Sequence, residues 1–234
     1  MTDLERPRSV GELIRDMFAL FAAAWGTYLA IGFGVVAPVY VAVFGLGLGE
    51  LSGRYDSSPA QARSFLEGGV LFAFALPLVM AMVARVLRGE RVGQAVQGGL
   101  ERFTVALVVA VAAIVFSVAG LFAFIVPGIY LAVRLSLAVP AAALEDLGPL
   151  AALRRSWALT GPAFWRTLGL MALILALTAL IEAVIEVPLV GVARSADRQV
   201  VALISSIISY AITLPIAAIS AALVVFDLRA RQAP

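Results

Sequence analysis

Three ionisable side chains interrupt the long apolar runs of the chain, and their types and spacing could do chemistry. Arg134 lies in one run, and Glu182 and Glu186 share a face of another at the i, i+4 spacing of a helix. A charge within a membrane is costly, so each side chain is expected to face the bundle interior and find a partner. The cluster could form a locking ion pair, hold a proton or cation, or bind a lipid headgroup. Arg134 could also snorkel to the membrane surface.

The residue inventory excludes most catalytic chemistry. The 234 residues contain no His, no Cys, no Lys and no Asn. Such a set cannot build a Ser-His-Asp triad, a thiolate nucleophile, an ordinary zinc site, a His-ligated haem or a Schiff-base lysine. We therefore predict a protein that is not an enzyme, with no catalytic residues, no metal and no cofactor. The net charge of +2 is too small for a nucleic-acid binder.

The elements that must position these residues are membrane-spanning helices. The chain is 62% hydrophobic and only 14% charged. A helix that crosses a membrane needs about 20 mostly apolar residues. The runs near that length predict an all-α, polytopic bundle in one domain, 1–234, with six spans at 25–48, 69–86, 103–126, 129–144, 164–192 and 200–226. The sequence Val126-Pro127-Gly128 predicts a tight turn between the third and fourth spans.

The arginines predict the orientation. Six spans place both termini on one side, and twelve of the 17 arginines lie on that side. Four lie on the other side, namely Arg54, Arg63, Arg194 and Arg198. Because cytoplasmic loops carry the excess of basic residues, both termini are predicted to be cytoplasmic. Frequent Ala, Arg, Val, Leu and Gly without Lys or Asn is typical of a GC-rich genome, so we expect a bacterial inner membrane.

Three amphipathic patterns, near 9–22, 91–102 and 148–159, precede the first, third and fifth spans. We predict cytoplasmic interfacial helices whose apolar faces lie among acyl chains and whose arginines lie near lipid phosphates. The side chains expected at this surface are Arg15, Arg102, Arg154, Arg155, Trp157 and Arg166. Glu145 and Asp146 are predicted to form a cytoplasmic polar cluster with Arg154 and Arg155.

Several segments carry a family resemblance. Residues 134–140 are RLSLAVP, 145–161 are EDLGPLAALRRSWALTG and 164–169 are FWRTLG. Together with 9–13 and 225–231, they resemble the family named after the membrane domain of glycerophosphoryl diester phosphodiesterase. The resemblance implies a multi-span membrane protein. The family's hydrolase activity belongs to members fused to a soluble domain with catalytic His, so a chain without His is not expected to share it.

Three function classes remain for such a chain. We predict a non-catalytic accessory, assembly or lipid-organising subunit that binds membrane lipids, a partner in a larger membrane protein complex, or both. The alternative is a transporter of small solutes or lipids, which predicts a cavity that reaches Arg134, Glu182 and Glu186. An intramembrane enzyme is the least favoured class, because no spacing sets a nucleophile beside its base.

Overall fold

A computed structural model describes residues 4–45, 69–193 and 198–232, and every regular element within these ranges is helical. The α-helices are α1 Val10–Ala23, α2 Trp25–Gly45, α3 Leu76–Leu87, α4 Val92–Glu101, α5 Phe103–Ala123, α6 Ile125–Leu135, α7 Ala138–Glu145, α8 Pro149–Thr160, α9 Phe164–Ala193 and α10 Arg198–Gln232. A π-helical turn, Leu71–Ala75, leads into α3. The all-α fold class is therefore confirmed.

Five helical segments in the described ranges are long and apolar enough to cross a membrane. They are Trp25–Val43, Phe103–Ala123, Ile125–Glu145, Phe164–Leu189 and Leu203–Gln232. The predicted span 69–86 corresponds to a shorter apolar helix, Ala73–Leu87. Residues 46–48 of the first predicted span, and the predicted outer arginines Arg54, Arg63 and Arg194, lie outside the described residues.

The last helix, α10, lies at the centre of the bundle, and α9 lies at its edge. In its membrane-crossing segment, 83% of α10 is buried, against 6% for α9. α10 packs on α1, α2, α3, α7, α8 and α9. Its contact with α2 is so close that a Cβ atom at Gly32 would overlap the carbonyl oxygen of Ala211. Small residues allow this backbone approach between membrane helices.

The α5–α6 hairpin turns at Phe124, two residues before the predicted turn at Val126-Pro127-Gly128. Phe124 is extended, with φ −165° and ψ 151°. Pro127 lies instead in the first turn of α6, where a helix leaves the backbone N–H unpaired. A Cβ atom at Gly120 of α5 would lie 3.0 Å from the Cα of Gly128. The glycine that indicates a turn in the sequence therefore serves close packing of the two helices.

The predicted fourth span, 129–144, is longer and is broken in the middle. It begins at Ile125, and a turn at Ser136 and Leu137 separates α6 from α7. Because α7 is buried from Ala138 to Leu144, it lies inside the bundle. α8 packs on α5, α6, α7 and α10, so the broken span and α8 form one packed unit.

The short helices α1, α4 and α8 lie at the predicted positions. Ser9 caps α1, because its hydroxyl accepts from the Glu12 N–H while its own N–H donates to Oε2 of Glu12 at 2.8 Å. α4 turns its small residues, Ala95, Gly98 and Gly99, towards the bundle. Of its larger apolar side chains, Val96 packs against the core, and Val92 and Leu100 are exposed.

Hydrogen bonds and ion pairs bring the first and last described segments of the chain to one face of the bundle. The backbone N–H of Arg8 donates to Asp227 near the end of α10 at 2.6 Å. Arg229 lies 3.1 Å from Glu5 and 3.7 Å from Glu145, which ends α7. The first and last described segments therefore meet beside the α7–α8 connection.

Candidate functional site

An apolar cavity of about 500 Å³ lies inside the bundle, between α3, α5, α6, α7, α9 and α10. Small side chains on its walls leave the space open, among them Ala110, Ala113, Ala217 and Ala221. Close-packed protein interiors hold few voids larger than a water molecule. A cavity of this volume is in the range of ligand sites, so it is the first candidate for function.

The cavity opens sideways. Ile114 and Val118 of α5 and Leu175 of α9 line it and are also exposed at the outer surface of the bundle. α5 packs mainly on α6, and α9 packs mainly on α10. The opening therefore lies between the α5–α6 hairpin and α9. Since these helices are apolar enough to cross a membrane, the opening faces the region where lipid chains would lie.

A few polar side chains interrupt the apolar wall of the cavity. They are Ser117, Ser136, Thr178, Glu182, Tyr210 and Thr213. The Thr178 hydroxyl donates to the carbonyl oxygen of Ile174 in its own helix, at 3.0 Å. Glu182 is the only carboxylate among the described lining residues. An apolar space with a few polar groups can orient a largely apolar ligand.

Arg134 lies on another side of α6 and does not line the cavity. Its side chain is 8% exposed and lies over the ring of Trp157, with 4.2 Å from Cζ to the ring centroid. The ring of Tyr130 is 5.7 Å from the same atom. The Ser156 hydroxyl donates to the backbone carbonyl of Arg134 at 2.7 Å, which joins α8 to α6. Arg134 thus contacts α8 through its side chain and its backbone carbonyl.

The predicted cluster of Arg134, Glu182 and Glu186 does not form an ion pair through Arg134. No carboxylate of the described residues lies within ion-pair distance of its guanidinium, and its Nε has no hydrogen-bond partner. Glu182 faces the cavity, whereas Glu186 is not among the lining residues. Within the described ranges, no three carboxylates come close enough to hold a metal ion.

Three of the arginines predicted to contact headgroups form ion pairs with carboxylates of the chain. The ion pairs are Arg102 with Asp146 at 3.4 Å, Arg155 with Glu145 at 2.9 Å and Arg166 with Asp227 at 3.0 Å. Arg15 is 71% exposed and lies 3.7 Å from Asp16. Arg154 is exposed and has no ion pair among the described residues. Glu145 and Asp146, which were predicted to form one cluster with α8, therefore have different partners, and only Glu145 binds an arginine of α8.

Asp227 is the centre of a buried network that the sequence patterns do not predict. Its carboxylate is fully buried and accepts from the Arg8 N–H at 2.6 Å, Arg166 Nε at 3.0 Å and Arg231 Nε at 3.0 Å. The backbone carbonyl of Arg8 accepts hydrogen bonds from the side chains of Arg166 and Arg231. The Arg8 side chain forms an ion pair with Asp16 at 3.0 Å. The carboxylate of Asp227 at the end of the last apolar run indicates a polar partner. That partner could not be identified from the sequence, because Arg8 is 219 positions away from Asp227.

A second polar cluster surrounds Asp146, which has the left-handed φ of 52°. Arg88 donates to Asp146 at 2.7 Å and to Glu90 at 2.9 Å, and Arg102 donates to the Asp146 carbonyl at 2.8 Å. Burial alone would raise the pKa of Asp146, but the hydrogen bond and charge of Arg88, with the charges of Arg102 and Arg85, lower it. The cluster ties α3 and α5 to the end of α7.

Fold and composition define an all-helical membrane protein with an apolar internal space that opens to one side of the bundle. Residues 102–228, more than half of the chain, match the family described as the membrane domain of glycerophosphoryl diester phosphodiesterase. The chain belongs to this family, which confirms the predicted resemblance. The matched segment contains the cavity walls except α3. No curated protein and no solved structure matches the chain.

Proposed function

We propose that this chain is a non-catalytic lipid-binding membrane protein whose cavity holds an acyl chain. The cavity of about 500 Å³, with its nearly all-apolar wall, carries the proposal. Ligand sites in proteins have volumes of about 300–1,000 Å³, and the volume of this cavity lies in that range. The sideways opening beside Ile114 and Leu175 would let a chain enter from the bilayer without crossing water.

The shape of the cavity and its few polar groups, and not its hydrophobicity, must select the ligand over bulk lipid. The bilayer interior is as apolar as the cavity wall, so moving an acyl chain between them gains little hydrophobic free energy. Close packing against the wall, and hydrogen bonds to polar lining groups such as Glu182 and Thr213, would supply the preference. A lipid bound in this way would be retained as a discrete molecule when the bulk bilayer is removed.

The membrane arrangement is part of the proposal. The chain would cross a bacterial inner membrane six times, with the helix at Ala73–Leu87 as the second span and both termini in the cytoplasm. The short helices α1, α4 and α8 would lie at the cytoplasmic surface. Support comes from apolar side chains that they leave exposed, such as Val10, Leu100 and Leu150. The role of the protein would be that of an accessory, assembly or lipid-organising subunit within a larger membrane complex.

Mass spectrometry of lipid that co-purifies with the full chain tests the proposal. Ala221 of α10 is half-buried and lines the cavity, so Ala221→Phe would fill the space that an acyl chain occupies. Wild-type protein in mild detergent is expected to retain about one lipid per chain. The Ala221→Phe protein should retain far less.

The matched control is Ala179→Phe, which adds the same ring to the exposed surface of α9 away from the cavity. It should retain lipid as the wild type does. Equal lipid retention in a folded Ala221→Phe protein would contradict the proposal.

A transporter is the second candidate, and Glu182 favours it. A carboxylate on the wall of a membrane cavity can carry a proton. Because Arg134 and Glu186 are not lining residues, a transport site would depend on Glu182 without them. Vesicles containing the protein and a trapped pH indicator would then show proton flux that Glu182→Gln removes. Flux at the rate of empty vesicles would exclude proton transport.

A further inference from the structure

The guanidinium of Arg134 is a buried cation without a counterion. No hydrogen bond or ion pair joins it to any residue that the structure describes. Arg155 on α8 differs, because it binds Glu145 at 2.9 Å. A guanidinium has five N–H donors in a planar fork, so a buried one without acceptors is incomplete.

The surroundings hold the guanidinium in place but offer it no acceptor. The ring of Trp157 supports one face, and Tyr130 packs edge to face on Trp157 with 5.9 Å between ring centroids. The Ser156 hydroxyl donates to the backbone carbonyl of Arg134 and joins α8 to α6. The Thr160 hydroxyl donates to the Ser156 carbonyl within α8, and neither hydroxyl accepts from the guanidinium. The positive charge is therefore oriented, and its counterion must come from outside the described chain.

The end of α8 leaves room for this cation. A Cβ atom at Gly161 would lie 2.7 Å from Nη1 of Arg134, so a larger residue there would push the guanidinium aside. The two supporting rings reach the outer surface, with Trp157 40% and Tyr130 41% exposed. Exposed Trp and Tyr side chains are typical of the level of the lipid headgroups.

We propose that Arg134 binds a phosphate group, held by its guanidinium fork between Tyr130 and Trp157. Phosphate oxygens match the fork of arginine in two parallel hydrogen bonds. In a membrane the abundant source of this group is the phosphate of a phospholipid, and free phosphate has the same chemistry. The site lies on a different side of α6 from the acyl-chain cavity, and it does not rest on the function proposed for that cavity.

Fluorescence of Trp157 would report binding at the site. Trp25 and Trp165 are 62% and 80% exposed, so Trp25→Phe with Trp165→Phe leaves Trp157 as the single reporter. The full chain in detergent micelles is titrated with dioctanoyl phosphatidylglycerol, with inorganic phosphate, and with dioctanoylglycerol, which has the same chains but no phosphate. A saturable change with phosphatidylglycerol, and none with dioctanoylglycerol, is expected.

Variants assign that change to Arg134. Arg134→Gln should weaken binding about tenfold or more, which corresponds to about 1.4 kcal/mol. Gly161→Ala keeps every charge and displaces the guanidinium, so it should also weaken binding. If Arg134→Gln does not fold, Gly161→Ala alone tests whether binding depends on Arg134. Arg15→Gln, which removes an exposed cation, should bind as the wild type does.

The outcomes separate the sources of phosphate. Tighter binding of phosphatidylglycerol than of inorganic phosphate supports a lipid headgroup, and equal binding supports free phosphate at the same site. A response to dioctanoylglycerol, or equal affinity in folded Arg134→Gln and Gly161→Ala proteins, would overturn the proposal. Ala221→Phe should leave this titration unchanged, so failure of the cavity proposal and failure of the phosphate site are distinguishable.

Discussion

Replacing Asp227 by Asn should destabilise the protein strongly. Asp227 is fully buried and accepts hydrogen bonds from the Arg8 N–H and from the guanidiniums of Arg166 and Arg231. Asn has nearly the same shape but no charge, and its amide nitrogen would face donors. The variant therefore leaves positive charges near a buried site without their counterion.

The magnitude follows from the exposure of the partners. Breaking a buried ion pair by removing one partner costs about 3–5 kcal/mol. The side chains of Arg166 and Arg231 are 25% and 39% exposed, so both can recover part of their hydration. Arg8 keeps its pair with Asp16 at 3.0 Å. The expected loss is therefore smaller, about 2–4 kcal/mol, with most of it at the buried Arg8 segment.

Thermal unfolding of the purified protein in detergent measures this loss. A change of about 2–4 kcal/mol in the free energy of unfolding lowers Tm by about 4–16 °C for a chain of this size. Arg154→Gln is the control, because Arg154 is exposed and has no ion pair among the described residues. If Asp227→Asn lowered Tm no more than Arg154→Gln does, the network would not hold the Arg8 segment to the end of α10.

Two further predictions concern the acidic cluster and the central helix contact. The lowered pKa of Asp146 means that its stabilisation is complete above its ordinary pKa and is lost as pH falls through the lowered value, below about pH 4. Asn also adopts the left-handed backbone conformation of position 146, so Asp146→Asn removes the charge without backbone strain. The variant should lower Tm at pH 7 by about 2–4 °C, and its Tm should fall less on acidification than the wild-type Tm. An unchanged dependence of Tm on pH would contradict the role of the Asp146 charge. Gly32→Ala should cost about 1–3 kcal/mol through its clash with Ala211. Gly26→Ala, with open space around it, should be neutral or stabilising, and equal thermal stability of the two glycine variants would refute the close contact.

Local patterns predicted the helices well. The short helices predicted near 9–22, 91–102 and 148–159 begin within one residue of α1, α4 and α8. Capping groups and apolar periodicity are properties of neighbouring residues, so a sequence carries them directly. The turn at 126–128 was misplaced because Pro and Gly have two uses, in turns and in close helix contacts, and only packing distinguishes them.

The partners of buried charges were not predictable from the same patterns. The sequence grouped Arg134 with Glu182 and Glu186 as a possible ion pair, but the guanidinium of Arg134 lies over the ring of Trp157 on α8. The bond between Arg8 and Asp227 joins residues 219 positions apart, and no local pattern encodes it. The cavity had no signal either, because alanines on α5 and α10 make space only after the helices pack.

Photo-crosslinking in vesicles tests the central claim most directly. A phospholipid with a photoreactive group in its acyl chain would be activated in vesicles that contain the full chain, and the labelled peptides would be sequenced. Labelling of inward lining residues such as Ser117 and Thr178, and its loss in the Ala221→Phe protein, is the predicted result. Labels confined to outward side chains such as Phe122 and Val184, in both proteins alike, would contradict an acyl chain in the cavity.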